Sequence, residues 1–146
     1  MLDDDLTRLK ETLAKGGDAA AINMALAPIA AARDPRSIKP LLLMLRDDQD
    51  DHGMWSILHV AEAHNDQTYV KAYVDTLPDI VSTAPGWSSV LMMRVLNSDT
   101  AQHELARQLR DAPQASRVAA ASICEDINEA DMRFMAKTTA VLVACK

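Results

Sequence analysis

Trp55, His59 and Glu62 are the first residues in this sequence whose types and spacing suggest chemistry. They fall in the stretch HGMWSILHVAEAHN, where separations of three and four residues bring side chains onto one face of a helix. An imidazole and a carboxylate one turn apart can ligate a metal inside a helical bundle, provided a second helix supplies matching ligands. No Glu-x-x-His partner occurs elsewhere, and His103 and Glu104 are adjacent and so point in different directions. His52 and His64 lie within a few turns but complete no ligand set. His59 and Glu62 are therefore expected to be structural, the histidine a hydrogen-bonded part of a core, with no metal and no cofactor. Trp55 and Trp87 are expected to be core anchors.

Other catalytic chemistries find less support. No serine sits in a G-x-S-x-G setting, and the four glycines form no phosphate-cradling loop. Cys124 and Cys145 lack metal-ligand spacing and have no obvious cationic neighbour, so they are expected to be free thiols rather than nucleophiles or a disulfide. The chain carries no enzyme signature and is expected not to be an enzyme.

The strongest charge feature is the segment RDDQDDHG, which holds Asp47, Asp48, Asp50 and Asp51. It is either a solvated loop that helps start the next helix, or a negative patch that meets a basic partner. The whole chain is acidic, with a formal net charge of -6 and a pI near 5.1. Without a Lys and Arg run it repels phosphate backbones, so nucleic acid is not an expected partner. Electrostatic steering would favour a basic protein.

These residues must be positioned by helices. Apolar residues make up 49% of the 146, which excludes a disordered chain, and the length suits a single domain spanning residues 1–146. Aromatics are only 3%, so the core must rest on aliphatic side chains, Met and Ala. Ala-rich runs such as SRVAAAS favour helix, and strand-type alternation is nearly absent.

Read in order, Leu2, Leu6, Leu9 and Leu13 form the stripe of a first helix that ends at Gly16-Gly17. Asp18 caps a second, with Ile22, Ala25, Leu26 and Ile29 inward and Pro28 kinking or shortening it. Asp34-Pro35 opens a third, with Ile38, Leu41, Leu42 and Leu45 inward. The helix of Trp55 follows the acidic segment. Asp66 is expected to cap the next, whose stripe from Tyr69 to Val81 should bend or divide at Pro78. Trp87, Val90, Leu91 and Leu96 line another, with Arg94 among them, and Asn97-Ser98-Asp99 breaks and caps the chain before a more polar helix. Pro113 opens a helix containing Val118, Ala121, Ser122 and Ile127 that ends near Asn128, and a terminal helix carries Met132, Met135, Ala136, Thr139, Leu142 and Val143.

The expected fold class is all-α, with about nine short helices in antiparallel pairs. Their stacking would make either a HEAT-like α-solenoid or a compact helical bundle. The N-terminus MLDDDLTRLKE lacks the pattern of a secretory signal, and no apolar run reaches spanning length, so a cytoplasmic protein without membrane contact is expected. Low aromatic content gives no reason to expect more than a monomer or a weak homo-oligomer.

The blocks MWSILHVAE and APGWSSVLMMRVLNSD, with Leu77-Pro78 between them, resemble the bacterial immunity protein 30 family. In that family a Trp-led helix with His and Glu precedes a Pro-x-Trp helix ending in Arg-x-Leu-Asn. The resemblance covers roughly the middle half of the chain. It implies a helical, HEAT-like, non-enzymatic cytosolic protein that binds and neutralises a cognate toxin of a polymorphic or contact-dependent system. It supplies no catalytic residues and no contact set. It does strengthen the acidic segment as a partner-binding surface, since a basic nuclease toxin would meet carboxylates where it expects phosphate. A helical-repeat adaptor with another protein partner is the alternative.

Overall fold

Short polar side chains start most elements of this chain, because the first N–H groups of a helix have no partner within it. The computed structural model describes residues 1–146 and holds nine α-helices, two 3-10 turns and no strand. α1 (Leu2–Ala14) ends before Gly16, whose φ of 70° takes the left-handed conformation that suits glycine. α2 (Ala19–Ala32) is capped by Asp18, which accepts the Ala21 N–H at 2.9 Å. Asp34 starts the turn Pro35–Ser37 that leads into α3 (Ile38–Leu43). Asp50 caps α4 (Asp51–Glu62) by accepting the Gly53 N–H at 2.9 Å.

α5 (Asp66–Thr83) corrects one expectation. Its cap is Asn65, which has extended backbone and accepts the Thr68 N–H at 2.8 Å. Asp66 already lies in the first turn, where its charge suits the helix dipole, and it accepts a hydrogen bond from Thr100 instead. α6 (Pro85–Leu96) has no capping side chain of its own. Ser98 caps α7 (Asp99–Leu109). α8 (Gln114–Ala130), the turn Met132–Phe134 and α9 (Met135–Ala144) complete the chain.

The helices lie in two rows. α3, α5, α7 and α9 neighbour one another in turn, while α2 packs on α4 and α6 on α8. Contacts such as α3 on α4, α5 on α6 and α8 on α9 join the rows, and α1 covers α2 at one end. α5 touches α3, α6, α7 and α8 and so sits at the centre. Forty buried apolar residues form one cluster between the rows.

Pro78 neither divides α5 nor ends it. A proline lacks the N–H that would bond the carbonyl four residues back, here Val74. That carbonyl accepts a hydrogen bond from the buried Ser116 Oγ of α8 at 2.8 Å. The neighbouring helix thus satisfies the group that the proline orphans. In α2, Pro28 likewise stays inside the helix, and the residue four back, Met24, is exposed to water.

Ser116→Ala is expected to cost about 1–3 kcal/mol, the penalty of leaving a buried carbonyl unsatisfied. Denaturant unfolding should show a lower midpoint at unchanged slope. In a Pro78→Ala background, where the helix can bond Val74 itself, the same change should cost markedly less.

The last two helices each bury one face and leave apolar residues on the other. α8 buries Ala119, Ala120, Ile123, Cys124 and Ile127, while Val118 is 60% exposed and Ser122 also faces solvent. α9 buries Thr138, Val141 and Ala144; Met135, Ala136, Thr139 and Val143 lie outside, as does Met132 in the turn before it.

Candidate functional site: the seam between α4 and α6

α4 and α6 run side by side in the same direction. Asp47, just before α4, meets the start of α6, and Glu62 at the end of α4 meets Arg94 near the end of α6. Between these contacts Trp55 and Trp87 stand edge to face, with centroids 5.1 Å apart and planes at 77°. Trp87 is buried and Trp55 half-buried, so one indole anchors the core and the other reaches the surface.

The three residues of the opening constellation do come together, linked through the Trp55 ring and Arg94. Glu62 accepts from Arg94 through both oxygens, Nε to Oε2 at 2.7 Å and Nη2 to Oε1 at 2.8 Å. That pairing raises the Arg94 pKa and holds its guanidinium 5.4 Å from the Trp55 ring centroid, within cation–π range. Both partners are partly exposed, so the ion pair contributes about 1 kcal/mol or less and mainly positions Arg94.

His59 stacks obliquely on Trp55, centroids 5.8 Å apart, and is exposed. It is not the hydrogen-bonded core histidine expected from the sequence. The buried face of α4 is taken by Met54, Ile57, Leu58 and Ala61, and His59 lies one position beyond it.

The four aspartates divide into two pairs. Asp47 accepts the N–H groups of Gly86 at 2.9 Å and Trp87 at 3.1 Å, capping α6 from the preceding loop. A side chain at position 86 would crowd it, since a Cβ there would lie 3.0 Å from Oδ1. Asp50 caps α4. Asp48 and Asp51 are exposed and make no ion pair, so their charges face solvent uncommitted.

Asp47→Ala is expected to destabilise the chain by about 1 kcal/mol, the usual worth of an N-cap, although the residue is exposed. Equilibrium denaturation measures this. A change within about 0.3 kcal/mol would mean that water replaces the carboxylate at no cost.

At the other end of the seam, α4, α5, α6 and α7 border a cleft of about 350 Å³. Glu62, Asp66, Tyr69, Arg94 and Ser98 are among its lining residues. Tyr69 is only 6% exposed, and its hydroxyl has no hydrogen-bond partner within the chain. Burial pushes its phenol pKa well up, and the Glu62 carboxylate adds to the shift. The sequence marked Glu62, Asp66, Arg94 and Ser98 separately, but nothing in it placed them at one corner.

Cys124 is buried and Cys145 half-buried, and both are free. Burial pushes the Cys124 thiol up to about 12 and raises that of Cys145, so neither is a ready thiolate at neutral pH. No helix is long and apolar enough to cross a membrane.

Residues 10–105 match the family model described as Immunity protein 30, a span that takes in α2 to α6 entirely and with them the whole α4–α6 seam. No curated protein and no solved structure matches the chain.

Proposed function

The chain belongs to the Immunity protein 30 family, and from that premise we propose that it binds a cognate bacterial toxin domain and neutralises it by stoichiometric association in the cytosol, without catalysis. The family match across residues 10–105 carries this reading. It would act as a single domain and protect the producing cell and its kin from a polymorphic or contact-dependent toxin. The two rows of helices support the HEAT-like description, in which parallel neighbours present a continuous outer face.

The α4–α6 seam is our choice for the toxin-binding face, with the segment of Asp47, Asp48, Asp50 and Asp51 at its leading edge. Two of these carboxylates are uncommitted, the chain is acidic overall, and a half-buried Trp55 adjoins them. A partly accessible tryptophan near a charged edge is the kind of group on which interface hot spots form. A nuclease with a basic active surface is the toxin class that fits this edge.

Co-expression with the toxin encoded by the neighbouring gene tests the reading. Rescue of growth and co-purification in a one-to-one complex are the expected results. A chain that neither rescues nor binds would leave the adaptor alternative in its place.

A further inference from the structure

The cleft at the far end of the seam has the chemistry of a receptor for a cation. Two carboxylates, Glu62 and Asp66, and one guanidinium, Arg94, line it, and Arg94 is already engaged by Glu62 through Nε and Nη2. Asp66 accepts from Thr100 through Oδ2, and Oδ1 has no partner in the chain. Beside them stands Tyr69, 6% exposed with an unpartnered hydroxyl. A buried hydroxyl with no partner costs folding free energy, and phenylalanine would fill nearly the same volume without that cost. Folding therefore makes no use of this group, and binding can.

A guanidinium is planar, always charged and carries five donors in a fixed fork. Such a fork offers donors to two acceptors at once, and Asp66 Oδ1 and the Tyr69 oxygen both lack a partner in the chain. An anion would meet an excess of negative charge in the lining. We propose that this cleft receives one arginine side chain of the bound toxin, with Tyr69 and Asp66 as its acceptors. The proposal rests on the toxin-binding reading and adds a second contact about 18 Å from the acidic edge, the length of a twelve-residue helix.

The test uses the full chain and N-acetyl-arginine amide as the probe, with inorganic phosphate as the anionic counter-probe, followed by NMR. Arginine amide is expected to shift the Trp55 indole and Asp66 amide signals with half-saturation at about 1–10 mM, and phosphate is not. Tyr69→Phe should weaken arginine binding about tenfold while its Tm stays level or rises, because an orphaned polar group has been removed. The level Tm separates lost binding from lost folding.

Absence of a saturable arginine shift overturns the assignment. So does a shift untouched by Tyr69→Phe, or phosphate moving the same signals instead. A chain that neutralises its toxin yet ignores arginine overturns the cleft assignment alone. One that binds arginine but leaves the toxin active overturns the toxin reading.

Discussion

Trp87→Ala is expected to destabilise the chain by about 3–5 kcal/mol, the range for truncating a fully packed large aromatic. Trp87 is 6% exposed, and its indole is the partner against which Trp55 stands. α4 and α6 meet chiefly through these side chains and the Glu62–Arg94 pair, so the indole is a main part of what joins them. A domain of ordinary stability has about 5–15 kcal/mol in total, so the variant would lie near the edge of folding. Denaturant titration gives the loss. Trp55 becomes the sole indole, and its emission should shift to the red as it gains water. Trp55→Ala should cost clearly less, since that ring is only half-buried. Equal costs for the two variants would mean that the seam is held as a unit rather than anchored at Trp87.

The second large effect is kinetic. Reversing the two uncommitted carboxylates, Asp48→Lys with Asp51→Lys, is expected to slow association with the toxin by about 10- to 1000-fold at low salt. Added salt should shrink the difference, since exposed charges more than about 10 Å apart are largely screened at 0.1 M. Stability should fall by no more than about 1 kcal/mol. That loss arises at Asp51, where a cation in the first turn of α4 opposes the helix dipole. The same reversal at Asp47 and Asp50 would remove two caps and confound binding with folding. Stopped-flow association measured at several salt concentrations decides the matter. Rates equal to those of the parent chain would take the acidic edge out of the interface.

Most of the secondary structure was legible in the sequence, because the forces that set it act within four residues. Asp18 and Ser98 cap the helices that their positions suggest, and the stripes from Leu6 to Leu13 and from Ile22 to Ile29 are buried as their spacing requires. The Trp-led helix and the Pro-x-Trp helix were recognisable together, and the family match extends beyond them to residue 10. Where the reading failed, the local signal was degenerate. Asn65 and Asp66 are both competent caps, and only backbone conformation chooses between them.

What the tertiary structure alone decided are the contacts between groups far apart in sequence. Asp47 reads as one acid among four, yet its cap on α6 lies 39 and 40 residues away. Pro78 reads as a breaker because its rescuer, Ser116, donates to a carbonyl 42 residues distant. Glu62 reads as a partner for His59 one turn back, but Arg94, 32 residues on, holds it more strongly as a full charge with a two-pronged fork. Local propensity and capping made this chain helical. The parallel placement of α4 and α6, which no pattern along the chain encodes, set Trp55, His59 and Glu62 along the wall of a seam with Arg94.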